Sequence, residues 1–182
     1  MRLLLRAADA HDALSSHLAQ GVKWLALVVV LVQFIVVVLR YAYGSSFVWM
    51  QESVIYVHAT LFMLAIGYTW LVDQHVRVDI YYAGWSVRRQ AVLDLACVVL
   101  AALPFCALVI WASYDYAARS WIQNEGPMAV GGVPFVPALK SLIPLMGLLL
   151  GLQAVSLGIR CVAVLTGAAS THFPHRQRQG DA

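Results

Sequence analysis

Four apolar blocks, at residues 22–43, 50–72, 90–114 and 138–159, constrain what this chain can fold into more than any other feature. A helix needs roughly 20 mostly apolar residues to cross the hydrocarbon of a bilayer, and each block reaches that length. Lipid offers no hydrogen-bond partners, so a spanning segment must satisfy its own backbone, as a helix does. The interior of the first block is broken only by Gln33, and Pro104 lies inside the third. With 62% of its residues hydrophobic and only 12% charged, the chain carries more apolar surface than one small soluble core could bury. The expected fold is all-α: an integral membrane four-helix bundle within residues 22–167, a short amphipathic lead-in at 1–21 and a disordered basic tail at 168–182.

Cation positions orient the spans, because Lys and Arg concentrate in cytoplasmic loops. With the amino end inside, nine fall on the inner side: Arg2, Arg6, Lys23, Arg77, Arg88, Arg89, Arg160, Arg176 and Arg178. Only Arg40, Arg119 and Lys140 fall outside, so both termini are expected in the cytoplasm. The aromatic residues agree, since Trp24, Tyr41, Tyr43, Trp49, Trp70, Trp111, Tyr114 and Trp121 sit near span ends, where amphipathic rings favour the headgroup layer. The net charge of +3 records these loops and implies no nucleic-acid partner. The apolar run at residues 3–5 is too short for a secretory signal. Cys97, Cys106 and Cys161 lie in or beside spans and read as small packing residues.

In the lead-in, Leu4, Ala7, Ala8, His11, Leu14 and Leu18 recur at helical spacing, while Asp9, Asp12, Ser16 and Gln20 fall elsewhere around the helix. This predicts either an amphipathic helix lying on the inner leaflet or against a partner, or a frayed polar segment. The tight first hairpin places Arg40 and Glu52 at one membrane face, where they either form an ion pair or turn separately to water. The inner loop alternates charged and apolar residues from Asp73 to Asp79 and reads as a surface-hugging segment. The outer loop at 115–137, rich in Gly and Pro, reads as turns.

Intramembrane chemistry is sparse. Gln33, His58 and Gln153 are the main mid-span polar residues, and Asp94 can reach the inner interface or pair with Arg88 or Arg89. A haem held by two histidines would need a second one at the depth of His58, and the sequence supplies none. Interhelical hydrogen bonding is the better reading of the three polar residues. Phosphate loops, dinucleotide fingerprints, nucleophile elbows and zinc spacings are absent, so no enzyme activity is expected.

A set of ordered elements carries a family resemblance. They are Arg40-Tyr41, Trp49, Gln51-Glu52, His75-Val76-Arg77-Val78-Asp79, Pro104-Phe105, Ser120-Trp121, Glu125, Gly131-Gly132-Val133-Pro134, Lys140, Pro144 and Leu152-Gln153. From about residue 12 to 160 the chain resembles the small membrane (DctQ-like) subunit of tripartite ATP-independent periplasmic (TRAP) transporters. The stretch at 131–137 is most similar to the branch grouped with mannitol or chloroaromatic-type systems, although Pro127 stands where that branch often has serine. The resemblance implies a non-catalytic scaffold in the cell inner membrane. Its implied partners are the large membrane subunit, a periplasmic solute-binding protein and the lipid bilayer, in sodium-coupled uptake of an organic acid. Sodium coupling would reside in the large subunit, leaving this chain without a cofactor.

Carried onto this sequence, the resemblance implies that Arg40, Trp49 and Glu52 organise the outer end of the first hairpin. His75, Arg77 and Asp79 would meet the large subunit, unless Arg77 and Asp79 only stabilise their own loop. The outer loop around residues 125–137, with Glu125, is the surface expected to dock the binding protein, and Lys140 is a further partner-contact or structural candidate. Two other classes stay open on the residues alone: a free-standing dimeric four-span transporter and a haem-binding membrane cytochrome.

Overall fold

The computed structural model describes residues 1–72, 82, 84–127 and 129–173. It is all-α among these residues. The elements are α1 (Arg2–Tyr43), α2 (Val48–Leu71), α3 (Val87–Cys97), a π-helical turn (Val98–Ala102), α4 (Leu103–Ile122) and α5 (Val136–Leu165). The α3, π and α4 segments run on without a break, so four helices are long and apolar enough to cross a membrane: Arg2–Tyr43, Val48–Leu71, Val87–Ile122 and Val136–Leu165.

The π turn has a local cause in Pro104. Proline lacks the N–H that would bond to the carbonyl four residues earlier, and its ring crowds that carbonyl. One widened turn absorbs the conflict: the Leu103 N–H reaches back five residues to the Val98 carbonyl. The third span thus keeps its backbone bonded where a bilayer would punish open groups.

Three spans run well past the apolar blocks, the last of them continuing to Leu165. The third continues through Asp115 and Arg119 to Ile122, because Ala117 and Ser120 are buried there. The first begins at Arg2, so the lead-in and the first span are one unbroken helix. Residues 168–173, expected in the tail, also carry a defined end: Gly167, at φ 76°, closes α5 and the Ala168 N–H returns to the Ala163 carbonyl at 2.8 Å. Residues 174–182 lie outside the described part.

The chain divides into two compact units, one from the described residues of 1–17, 66–108 and 148–182, the other from 18–65 and 109–147. In the first, Ala91 and Val98 of the third span meet Ala154, Leu157 and Cys161 of α5, with Phe173 on the same cluster. Small residues at 151, 154, 158 and 161 fall on one face of α5 and permit this close approach. A Cβ at Gly158 would sit 3.5 Å from Val98, and one at Gly151 3.4 Å from Cys106. Membrane helices associate through such small-residue faces, since lipid supplies no hydrophobic drive between them.

The lead-in turns its leucines outward, as a helix facing lipid or a partner would, but it continues straight into the first span and packs its polar face within this chain. Its buried stripe is Ala8, Asp12, Ser15 and Ala19, whereas Leu3, Leu4 and Leu14 are exposed. A protein in water turns apolar residues inward. In a chain surrounded by hydrocarbon, polar and small side chains face the neighbouring helix and leucines face out.

Candidate functional site

The second unit gathers most of the described residues that the resemblance singles out, around the connection from α4 to α5. Asn124 starts it. With φ 46° it adopts the left-handed conformation that Asn tolerates better than most residues, and the Glu125 N–H turns back to the Ser120 carbonyl at 3.1 Å. The Glu125 carboxylate then accepts from the Ser120 hydroxyl at 2.6 Å and forms an ion pair with Lys140 in the first turns of α5. The Lys140 ammonium also lies 4.1 Å from the centre of the Tyr116 ring. Lys140, followed by Ser120, holds the Glu125 carboxyl below its ordinary pKa, because both donate to the charged form. Trp121 adds a tie between α4 and α5, its indole N–H donating to the Ser141 hydroxyl at 2.8 Å.

Glu52 secures the other end of the connection. Buried in α2, it accepts the Val133 N–H at 2.7 Å. One turn along α2, the Tyr56 hydroxyl donates to the Val133 carbonyl at 3.2 Å, so both backbone groups of Val133 are held. Gly131, at φ 79°, turns the chain into this position. Gly132 leaves the room, since any Cβ there would collide with the Glu52 carboxylate. The Gly-Gly-Val run therefore shapes a receptor for one carboxylate.

The expected Arg40–Glu52 ion pair does not form. Arg40 is exposed in the last turn of α1, and among the described residues no ion pair joins it to Glu52. The physical reason is competition: a backbone N–H already placed by two glycines satisfies the buried carboxylate without ordering a long arginine side chain. Trp49 is about half exposed, its ring tilted towards Phe47 at a centroid distance of 6.5 Å. His75, Arg77 and Asp79 lie outside the described residues.

Between α4 and the loop, Tyr116, Arg119, Gln123, Glu125 and Lys140 line an open hollow of about 350 Å³. Arg119 is exposed and makes no ion pair with another described residue. The hollow offers one guanidinium beside an already neutralised pair, an arrangement that suits a carboxylate.

The first unit holds polar clusters of a different kind. Arg160 on α5 pairs with Asp12 and with Asp9, the latter at 2.7 Å. Asp12, 1% exposed, also accepts from Gln153 at 3.2 Å and Ser156 at 3.0 Å, while Ser15 donates to Gln153 at 3.3 Å. A buried carboxylate is tolerable only with this density of donors. Asp94 is not paired with Arg88 or Arg89; it accepts from Tyr82 and lies 2.8 Å from Nε2 of the buried His172.

Sequence reasoning missed the Asp12–Arg160 cluster. Its signal was present as Gln153, Ser156 and Arg160, spaced to share one face of the last span, opposite two aspartates one turn apart in the lead-in. Of the three mid-span polar residues, Gln153 makes interhelical bonds. Gln33 and His58 are exposed and make no hydrogen bond to another described residue, His58 only stacking near Phe62 at 6.4 Å.

No curated protein and no solved structure matches the chain. The family model described as tripartite ATP-independent periplasmic transporters, DctQ component, matches residues 29–163, a span that takes in Arg40, Glu52, the Glu125–Val133 connection, Lys140 and Gln153. That family is a transporter component and not a catalytic one. The match covers most of the chain, with the second and third apolar helices whole and parts of the first and last, and the chain belongs to the DctQ family of TRAP transporter components.

Proposed function

We propose that this small permease subunit is a scaffold in the cell inner membrane, both termini cytoplasmic, that holds the large TRAP subunit and helps dock a periplasmic solute-binding protein. In this reading the large subunit moves an organic acid by coupling to sodium, and this chain binds no cofactor. The observation that carries it is the exposure of Gln33 and His58 at mid-span. A polar side chain facing hydrocarbon is costly, and a facing helix that hydrogen-bonds it removes the cost. The two residues therefore mark a surface meant for another membrane protein. The α4–α5 connection supports the docking half of the reading, because Glu52, Ser120 and Lys140 hold it firmly while Arg119 pairs with no described residue.

The test is co-purification of the large subunit with tagged chain. An interhelical hydrogen bond in lipid contributes roughly 0.6–2 kcal/mol, so Gln33→Leu combined with His58→Leu should lower recovery several-fold. Undiminished recovery would remove these residues from the interface and take the main support from the scaffold reading.

A further inference from the structure

At the start of the third span, Trp85, Arg88, Arg89, Val92, Leu93 and Ala96 line an open groove of about 570 Å³. Its ends differ in chemistry. Arg88 and Arg89 are exposed and make no ion pair or hydrogen bond with another described residue. The nearest acid on the same helix, Asp94, is already engaged by Tyr82 and His172, so among the described residues the groove has no counter-ion. One turn further, Val92 follows Arg88 and Leu93 follows Arg89 on the same faces, and Ala96 continues the row from Val92. Val92 is 54% exposed and Leu93 40%, which leaves an apolar floor running from the cationic end along the helix. Trp85, 42% exposed, flanks it at the depth where indole rings favour the headgroup layer.

We propose that this groove binds an anionic phospholipid. Two adjacent guanidinium groups present planar forks for phosphate oxygens, and the floor of Val92, Leu93 and Ala96 takes the first part of an acyl chain. Inorganic phosphate would use the arginines and leave the apolar floor empty. A zwitterionic lipid would bring its own ammonium towards the arginine pair. An anionic headgroup on an acyl chain satisfies both ends at once.

The full-length chain, purified in detergent, would be incubated with an equimolar mixture of phosphatidylglycerol and phosphatidylcholine vesicles, re-isolated, and its retained lipid measured by mass spectrometry. A surface arginine near an anionic headgroup is worth about a five-fold preference, so phosphatidylglycerol should be retained over phosphatidylcholine by at least that factor. The Arg88→Gln, Arg89→Gln double variant should lose the preference, while the double lysine variant keeps part of it. Val92→Asn with Leu93→Asn should lower retention of both lipids, a readout that does not depend on the arginine variant folding. Equal retention by the wild type, an unchanged preference in the glutamine variant, or unchanged retention in the asparagine variant would overturn the proposal. So would displacement of the retained lipid by inorganic phosphate, which would make this a simple anion site. Loss of the lipid once the large subunit is bound would reassign the groove to a protein interface.

Discussion

At the scale of single residues, Glu52 and Glu125 divide the work of holding the α4–α5 connection, by different physics. Glu52 is buried and bonds a backbone N–H, so its loss leaves the partly buried Val133 donor open. Glu52→Ala should lower stability by about 1–3 kcal/mol, the cost of an unsatisfied buried group, and Glu52→Gln by less because its amide oxygen still accepts. Thermal unfolding in detergent checks both. Gly132→Ala acts on the same bond from the other side, pushing the carboxylate off Val133, and should resemble Glu52→Ala. Glu125 is a surface pair and behaves through titration. Its carboxyl is held below the ordinary 4.5, so its contribution is complete above 4.5 and disappears only as pH falls through the lower folded value. Lys140→Gln removes the largest cause, and carbon-13 NMR of the Glu125 carboxyl should show its titration moving up towards 4.5. An unmoved titration would show that the ion pair does not set it. Both glutamates were legible in the sequence as members of an ordered pattern. Their partners were not: Val133 offers only a backbone N–H, which no side-chain inventory reveals, and so the more visible Arg40 drew the expectation.

At the scale of elements, the lead-in teaches the most. Its helical period and its outward leucine face were readable; that its polar face would pack on α5 of the same chain was not, because the partners Gln153, Ser156 and Arg160 lie far away in sequence. Single cysteines placed at Leu4 and Leu14 in a cysteine-free background should react readily or be quenched by lipid-borne spin labels, whereas those at Ala8 and Ser15 should be protected. Equal reactivity on the two faces would mean the helix is not packed as described. The same packing makes Asp12 a sensitive position. Removing it leaves Arg160 buried beside only the more exposed Asp9, and Asp12→Ala should cost about 3–5 kcal/mol, as breaking one half of a buried ion pair does. Replacing Asp12 and Arg160 together by apolar residues of similar volume should cost far less, because no uncompensated charge remains. The four spans themselves were plain from apolar length. The extension of the third to Ile122 was not, because Ala-rich polar sequence at a span end is equally consistent with loop or helix until its neighbours are known.

At the scale of the whole molecule, the distribution of polar groups carries the account. Buried polar residues in the first unit, Asp12, Gln153, Ser156 and Arg160, bond to one another and so hold this chain's own helices. Mid-span polar residues in the second unit, Gln33 and His58, are exposed and have no such internal use. In the proposed scaffold role the first set keeps the chain folded and the second meets a partner. A self-sufficient transporter would instead direct ionisable groups into a cavity of its own. The most direct measurement is substrate uptake into sodium-loaded-gradient proteoliposomes, with the binding protein supplied outside, comparing this chain alone, the large subunit alone and the two together. Sodium-dependent uptake is expected only when both membrane subunits are present; uptake by this chain alone, or full uptake by the large subunit without it, would contradict the scaffold role.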